Sequence, residues 1–495
     1  MANAGRGNMG TGEIEEKLST HGARGQGDSA RWAIRHTWLL FALAATMIAF
    51  WVAPIVNDQI GRLNKDYVLW YYTGRAVAQG LPIYPKDGRV FPFMYPPSAS
   101  AMLAILSRLG SFGFLLTLLA LNSVAWVASI FLSLTLVSGR ISRHRPLVYI
   151  VPSLGVAAYI HDVYLLGQPN LGLLACMLGA FACLGTRRPA LAGSLVALAA
   201  AVKAFPFLAI GYLIYRRFWK ATAAMVVVLT LAVVVLPMPF RGTSGAYDDA
   251  GTWTMGMVLR YDSGSIAQRP ERGFGFKNQS LMALANRLLR DIPADGEARD
   301  GWKVNVASLS FSTVNKVILG MALLLGGLFV ALMPWKAPPT GPVAAIEGAL
   351  LILLILVFSP LSFNYFYVWL LYPLTVALYL GGEAPPRSTE RRIMFGSVAA
   401  SLGLLGLSVV SSRVAAGYGN SFFAAAALFA ALAWWLAVDP LVDSPIRRAW
   451  ASLRRKGSLI NDQAIPASPL GRSGPHASMG MGRQASTTRD SKPLR

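Results

Sequence analysis

Apolar and polar segments alternate along most of the chain in a pattern typical of membrane-spanning helices. Most apolar runs are long enough to cross about 30 Å of hydrocarbon as a helix. They cover Trp38–Val56, Phe112–Val137, Leu147–Leu166, Leu171–Leu184, Ala190–Val202, Phe205–Tyr215, Ala221–Pro237, Val314–Leu332, Val343–Phe358, Val368–Leu380, Met394–Ser411 and Phe422–Val438. We therefore predict an all-α polytopic membrane protein with about 12 transmembrane helices, within a range of roughly 10 to 13.

Two features leave the number of helices open. The segment 189–215 contains "KAFP" between two short apolar runs, and it forms either a hairpin with Lys203 at its tip or one kinked helix. Helices as short as these fit a membrane only where water or protein satisfies the backbone at their ends. A further short run, Ala99–Leu109, is predicted to form a half-helix or an interfacial helix.

Composition supports the membrane assignment. The 495 residues are 54% hydrophobic and 14% charged, with a mean hydropathy of +0.48, whereas about a quarter of the residues of a soluble protein are charged. The net charge of +22 is spread over loops and tails. We therefore expect no nucleic-acid partner, and instead expect attraction of the tails to anionic membrane lipids.

The distribution of basic residues predicts the orientation in the membrane. More than half of the Lys and Arg residues fall in the two tails and in alternate short loops, as the positive-inside rule requires of cytoplasmic segments. We expect a multi-pass protein of the plasma membrane with both termini in the cytoplasm. The predicted parts are a polar cytoplasmic tail (1–36), a transmembrane domain (37–439) with long outer loops at about 57–95 and 241–313, and a basic, disordered cytoplasmic tail (440–495).

Unusual polar residues gather on the outer side of this topology. The candidates are Asp58, Asp66, Tyr71, Tyr72 and Arg75 in the first outer loop, Gln168 and Asn170 in "GQPN", Lys203, then Lys277, Asn278 and Gln279 in "GFGFKNQSL", and Tyr365 in "SPLSFNYFY". A positioned carboxylate can deprotonate a hydroxyl, cations can stabilise a phosphate leaving group, and amides and aromatic rings can bind a sugar. This combination is typical of sugar transfer from a lipid phosphate.

Each candidate also has a structural explanation. Asp66 could cap a short helix, Lys203 could extend its ammonium group to water from a helix end, and Gln168 and Asn170 could bond helices together. Tyr71 and Tyr72 could belong to an aromatic belt. The outer arginines hold phosphate or balance nearby acids, and they are Arg62, Arg75, Arg89, Arg260, Arg269 and Arg272. Arg75 is preferred because it follows the Asp66 motif closely.

Several short motifs, in this order, resemble glycosyltransferase family 87, whose members are polytopic enzymes of the GT-C type. They are "DYVLWYYTGRAVAQGLPIY" from Asp66, "YPP" from Tyr95, "GQPN", "KAFP" from Lys203 and "NQS" from Asn278. The resemblance runs from about Asp66 to Pro373. One departure is that Phe363, Tyr365 and Phe366 stand in "SPLSFNYF" where family members often have Trp and two His.

The resemblance implies a GT-C-type fold and an active site on the outer face. Asp66 would be the general base, with Asp58 as second choice, and Tyr95 would join the other candidates in binding substrate. The enzyme would move a hexose such as mannose from a polyprenyl-phosphate donor to a lipid or glycan acceptor. It would invert the anomeric centre, taking a β-linked donor to an α product, and would need no metal. The departure at Tyr365 leaves the sugar open.

A different class of function also fits part of the sequence. A lipid-linked glycan flippase or another transporter would place ionisable groups on broken helices near the middle of the membrane, and Lys203 beside Pro206 matches that description. No cofactor is expected: Cys176 and Cys183 lie in one apolar run, and the five histidines have no metal-ligand spacing. The lipid-phosphate sugar would be a co-substrate.

Overall fold

The structure is a computed structural model. It describes residues 37–39, 41–58, 65–85, 90–139, 146–270, 273–295, 301–334, 340–439, 443–445 and 448. The predicted amino-terminal tail (1–36) and almost all of the predicted carboxyl-terminal tail (440–495) therefore lie outside the described residues, as do Arg62, Arg89 and Arg272. Everything below concerns the compact unit that ends at Arg447.

The described chain is almost entirely helical, as predicted. The helices are α1 (Thr37–Asp58), α2 (Lys65–Ala78), α3 (Pro97–Leu106), α4 (Gly110–Ser138), α5 (Leu147–Gly155), α6 (Ala157–Leu166), α7 (Asn170–Gly185), α8 (Pro189–Val202), α9 (Ala209–Tyr215), α10 (Trp219–Thr230), α11 (Met238–Trp253), α12 (Leu281–Leu289), α13 (Phe311–Leu332), α14 (Pro342–Phe358), α15 (Leu371–Glu383), α16 (Thr389–Val410), α17 (Ser412–Gly417) and α18 (Asn420–Val438). Two strands of two residues each, β1 (Ser265–Ile266) and β2 (Arg269–Pro270), pair in antiparallel fashion.

Many of these helices are suited to a membrane. Among the described residues, six are long and apolar enough to cross one, and eight if each of two bent pairs counts as one span. Four shorter apolar helices accompany them, in Asn170–Gly185, Pro189–Val202, Phe205–Tyr215 and Pro342–Phe358. The protein is thus an all-α membrane protein. The number of 12 crossings stays a prediction.

The predicted short run before α4 forms a short helix, α3. A 3-10 turn, Ser107–Leu109, follows α3, and Gly110, whose backbone is not helical (φ 76°, ψ 169°), separates this turn from the rest of α4. Pro97 occupies the first helical position of α3, where the missing N–H costs no hydrogen bond.

The segment 189–215 forms a hairpin. Lys203 has an extended backbone (φ −148°, ψ 127°) that ends α8, and a 3-10 turn, Phe205–Leu208, leads into α9. The chain then turns back: Ala221 at the start of α10 packs so closely on Gly193, near the start of α8, that an added Cβ on Gly193 would overlap its carbonyl oxygen. Hence α9 returns to the level at which α8 begins. The hairpin prediction is confirmed, and a single kinked helix is wrong.

Alternating helix directions give the bundle two distinct ends. We call the end that carries Lys203 the upper end, and the end that carries Arg216 the lower end. Between them α14 is buried on all sides, as a helix that is hydrophobic all round should be. At the lower end its Glu347 forms a bidentate ion pair with Arg216, both contacts being 2.5 Å.

The second long loop folds across the upper end. The chain bends by 101° between the α10 segment (Trp219–Val235) and the α11 segment (Met238–Val258), and both segments end in a π-helical turn, Leu231–Val235 and Thr254–Val258. The buried guanidinium of Arg287 on α12 donates to the carbonyl oxygens of Phe274, Gly275, Asn278, Ala416 and Gly417. It thereby ties this loop to the turn before α18.

Candidate functional site

Asp66 lies in the first turn of α2, where the helix dipole favours a negative charge. Its Oδ2 accepts a hydrogen bond of 2.6 Å from Nε2 of Gln168, which is far away in sequence. Its Oδ1 accepts no hydrogen bond from any residue that the structure describes. Since the carboxylate bonds to another segment, a capping role alone does not account for it. One oxygen is therefore oriented by Gln168, and the other has no donor in the described part of the chain.

The "GQPN" sequence makes the turn that presents Gln168. Gly167 adopts a left-handed conformation (φ 72°) at the end of α6, and Gln168 N–H bonds back to the carbonyl of Val163 at 2.9 Å, which is the pattern of a glycine-terminated helix. An added Cβ on Gly167 would come within 2.6 Å of the Tyr67 ring. Glycine is therefore required here both by its φ angle and by the neighbouring aromatic ring.

Lys203 is buried, with 7% of its surface exposed. Its ammonium group donates to Oε1 of Gln168 at 2.7 Å and to Oδ1 of Asn170 at 2.9 Å. It also lies 5.2, 4.9 and 4.1 Å from the ring centroids of Tyr95, Tyr365 and Phe366. The ammonium therefore does not extend to water. Both hydrogen-bond partners are neutral amides, so neither compensates its charge.

Tyr95 completes this hydrogen-bonded group. Its hydroxyl donates to Oε1 of Gln168 at 3.0 Å, and its ring meets the Trp70 indole edge-on at a centroid distance of 5.0 Å. The Tyr84 hydroxyl in turn donates to the Tyr95 carbonyl at 2.6 Å. We call Asp66, Tyr95, Gln168, Asn170 and Lys203 the Gln168 network. The side-chain amide of Gln168 has only one consistent orientation, because its nitrogen must face the Asp66 carboxylate and its oxygen must face the two donors, Tyr95 and Lys203.

Ionisation in the network follows from burial and from the neighbouring charge. Burial lowers the pKa of Lys203 well below its ordinary value of 10.5, and the nearby carboxylate of Asp66 partly opposes this effect. Burial raises the pKa of Tyr95, and the negative charge of Asp66 raises it further. Tyr95 is therefore a hydrogen-bond donor at neutral pH, whereas the charge on Lys203 depends on what binds beside it.

An apolar cavity of about 500 Å³ opens beside Lys203. We call it the apolar cavity; its walls come from the Lys203 hairpin, both π-helical turns and the turn after α14. Side chains that line it include Met94, Tyr95, Lys203, Phe205, Leu208, Leu229, Val233, Trp253, Met257, Leu361, Phe363, Tyr365 and Phe366. Its few polar groups, Tyr95, Lys203 and Tyr365 among them, adjoin the Gln168 network. The cavity fits a ligand with a long apolar part and a polar or anionic end.

Four predicted residues line a different cavity. Asp58, Tyr71, Tyr72 and Arg75 surround a space of about 290 Å³ between α1, α2 and the start of α4. We call it the polar cavity. The structure therefore divides the candidates of the first outer loop, with Asp66 in the Gln168 network and the other four in this second space.

The predicted residues of "KNQS" have different positions again. Asn278 and Gln279 are fully buried (0% exposed), and Asn278 bonds to the carbonyls of Gly273 and Pro360 and to the N–H of Ser362. These bonds hold the loop against the turn that carries Tyr365. Lys277 is exposed and interacts electrostatically with Asp162. A role of these residues in substrate binding stays a prediction.

Some residues near the site were not among the predicted site residues. Phe366 gives Lys203 its closest aromatic contact, and in the sequence it stands out only as a departure from the family pattern. Asp162 lies on α6 and interacts electrostatically with Tyr365; a charged residue inside an apolar run was the signal that could have found it. Arg269 on β2 acts electrostatically on both Tyr95 and Tyr365, whereas Arg260 pairs with Asp262 at 3.7 Å.

The described residues contain no group of three or more His, Cys, Asp or Glu side chains that could hold a metal ion. The model of glycosyltransferase family 87 matches residues 93–360, which is more than half of the chain. The chain belongs to glycosyltransferase family 87. Searches of curated proteins and of solved structures give no match.

The matched region covers only part of the candidate site of this glycosyltransferase. It includes Tyr95, the "GQPN" turn, Lys203 and the loop around Asn278. Asp66 and the polar cavity residues of α1 and α2 precede it, and Tyr365 follows it. The place of Asp66 in the site therefore depends on its hydrogen bond to Gln168, which lies inside the matched region.

Proposed function

We propose that this glycosyltransferase moves a hexose, with mannose as the first candidate, from a polyprenyl-phosphate donor to the hydroxyl group of a lipid or glycan acceptor. The observation that carries the proposal is the Gln168 network, in which one amide bonds to both the Asp66 carboxylate and the buried ammonium group of Lys203, and Lys203 lines the apolar cavity. A lipid-phosphate sugar has an apolar chain, an anionic link and a sugar, and each has a matching surface here.

The donor would bind with its isoprenoid chain in the apolar cavity and its phosphate at Lys203. The ammonium has no carboxylate within ion-pair distance among the described residues, so an anionic ligand is the natural counter-charge. Arg269 on β2 supplies a second positive charge in the same region. Hydrogen bonds to phosphate are strongest from charged donors in a site that excludes water.

The chemical step would be a direct displacement at the anomeric carbon. An acceptor hydroxyl oxygen attacks that carbon, the bond between the carbon and the phosphate oxygen breaks, and polyprenyl phosphate leaves with the bonding electrons. Asp66 takes the hydroxyl proton as general base, and Lys203 stabilises the charge that develops on the phosphate. A single displacement inverts the anomeric centre, so a β-linked donor gives an α product. No metal is needed for this step.

The proposed setting is the plasma membrane, with a GT-C-type arrangement of about 12 crossings. The upper end would face outwards and both termini would lie in the cytoplasm, where the basic tails contact anionic lipid. This orientation is supported by the basic residues at the lower end, such as Arg187, Arg188, Arg216 and Arg217.

The test is sugar transfer from labelled polyprenyl-phosphate hexoses to the endogenous lipid of membranes that contain the protein. Because a positioned general base typically contributes about 10²–10⁴-fold, Asp66→Asn should lower transfer by that factor at equal expression. Asp291→Asn is the control, since Asp291 is an exposed residue paired with the exposed Lys303. Several hexoses are compared in parallel.

Other outcomes would change the proposal. Full transfer by Asp66→Asn together with loss in Asp58→Asn would move the base to Asp58. Absence of transfer from every donor, with acceptor lipid shown to be present, would favour a transporter, for which a buried Lys203 at a helix break is the supporting feature.

A further inference from the structure

The polar cavity lies on the face of α2 that turns away from Asp66. At 100° per residue, Asp66, Trp70, Thr73 and Val77 share one side of the helix, and the last three are buried. Tyr67, Val68, Tyr71, Tyr72 and Arg75 share the other side and line the polar cavity. Residues of α2 therefore line the polar cavity, whereas none of the described residues of α2 lines the apolar cavity.

Contacts of Tyr67 hold the first turn of α2 in place. The Tyr67 ring packs against Gly167, and its hydroxyl donates to the carbonyl of Tyr164 at 2.7 Å. Tyr67 thus lines the polar cavity and directly follows Asp66 in the chain. The first turn of α2, which carries Asp66, therefore forms part of the wall of the polar cavity.

Apart from the Tyr67 hydroxyl, the polar side chains that line this cavity are not used by the part of the protein that the structure describes. Within the part of the chain that the structure describes, the side chains of Asp58, Tyr71, Tyr72, Arg75 and Ser111 have no hydrogen-bond or ion-pair partner. The Gln168 network is the opposite, because its members bond to one another. A recess with a carboxylate, a guanidinium and three hydroxyl groups offers a ligand both donors and acceptors.

Aromatic rings form one side of the recess. Tyr71 meets Tyr72 edge-on at a centroid distance of 5.5 Å and meets Phe114 in the same way at 5.7 Å. The volume of about 290 Å³ is roughly ten times the ~30 Å³ that one water occupies in the liquid. One sugar ring fits this space, whereas an isoprenoid chain does not. Among the described side chains that line the cavity, one is an acid and one is a base, so their formal charges cancel, which favours an uncharged ligand.

We propose that the polar cavity is an acceptor subsite that binds a neutral sugar ring of the acceptor, separate from the apolar cavity that would take the donor. This inference rests on the proposed function and deepens it. The acceptor would be a glycan or glycolipid with a sugar residue beyond the attacking hydroxyl. That residue is held by hydrogen bonds to Asp58 and Arg75 and by ring contact with Tyr71, while the attacking hydroxyl reaches Asp66.

The experiment is a kinetic comparison in detergent micelles. The acceptor probe is a total lipid extract of the host membranes, and the donor is the labelled polyprenyl-phosphate hexose that the wild-type protein accepts. Arg75→Gln should raise the acceptor KM by about 10- to 100-fold, since it removes charged hydrogen bonds. Tyr71→Phe should raise it by about 2- to 10-fold. The donor KM should stay at the wild-type value in both variants, which also shows that they fold.

Arg108→Gln is the matched control, because Arg108 is exposed and does not line the cavity. Ser111→Trp, which fills the recess, should abolish use of the acceptor while donor protection against heat unfolding persists. An unchanged acceptor KM in all three cavity variants would overturn the subsite, and so would a rise confined to the donor KM. Absence of transfer by the wild-type protein would instead overturn the proposed function, and the subsite with it.

Discussion

Gln168 is the residue on which the site geometry depends most. Its amide donates to Asp66 through nitrogen and accepts from Tyr95 and Lys203 through oxygen. The sequence predicted Asp66, Gln168 and Lys203 as candidates because unusual polar residues gather on the outer side of the predicted topology, and Tyr95 because of the family resemblance. It did not predict that one amide would join all of them.

At the residue scale, the first prediction concerns pH. As the pH rises through the lowered pKa of Lys203, the ammonium loses its proton and the phosphate loses its partner. The donor KM should therefore rise well before the pH reaches 10.5, the ordinary value for lysine. Initial rates at saturating acceptor, measured from about pH 6 to about pH 10, give this KM.

Two comparisons make the pH result specific. Arginine keeps its charge throughout this range, so the donor KM of Lys203→Arg should stay flat, even if its absolute value differs. Stability of the donor-free protein should rise with pH over the range in which affinity for the donor falls. The reason is that the pKa of Lys203 is lower in the folded protein than in the unfolded chain, so the unfolded chain binds more protons in this range. A wild-type donor KM that is flat up to about pH 10 would contradict the assignment.

At the scale of elements, the turn between α6 and α7 matters most. Gly167→Ala would place a Cβ in a left-handed conformation, which costs roughly 1–2 kcal/mol, and would push on the Tyr67 ring beside Asp66. We expect the melting temperature in detergent to fall by a few degrees, and transfer to fall with it.

Gly172→Ala provides the comparison for this turn. Gly172 lies in α7 with no heavy atom near its added Cβ, and alanine is the better helix former by about 1 kcal/mol. Its melting temperature should be equal to or above that of the wild type. Equal melting temperatures for Gly167→Ala and the wild type would show that the turn tolerates a side chain.

The sequence predicted which segments form helices better than it predicted which face of a helix meets the site. Apolar runs and the break at "KAFP" were enough for the helices and for the hairpin, since burial and Pro act locally. Which face of α2 meets Gln168 depends on packing against α3 and α6, which no local pattern encodes. For this reason Tyr71, Tyr72 and Arg75 were predicted beside Asp66, while the structure places them in the polar cavity. Likewise, the bonds of Asn278 to Pro360 and Ser362 join segments that are far apart in sequence.

At the scale of the whole molecule, the Arg216–Glu347 pair joins α9 to α14 at the lower end. Both side chains are nearly buried, with 4% and 2% of their surface exposed, and Arg216 also donates to the carbonyl of Pro334 at 2.7 Å. Removing one member of a buried pair leaves an unpaired charge and costs about 3–5 kcal/mol. Glu347→Gln and Arg216→Met should each lower the unfolding temperature strongly.

The double variant Arg216→Met with Glu347→Leu tests this explanation. Apolar replacement of both partners should recover much of the lost stability, since no unpaired charge remains. Sugar transfer by the folded fraction should be near the wild-type rate, because the pair lies at the end of the bundle opposite Lys203. Losses that simply add in the double variant would mean that the two side chains act independently.

The neutral amide between Asp66 and Lys203 has a consequence for the protein before any ligand arrives. An acid and a base in direct contact would satisfy each other, and a substrate would have to break that bond before it could use either group. With Gln168 between them, the two groups interact electrostatically but do not form an ion pair with one another. In the proposed mechanism the site could therefore receive an anion and a hydroxyl group at the same time, because no ion pair between Asp66 and Lys203 would have to be opened first.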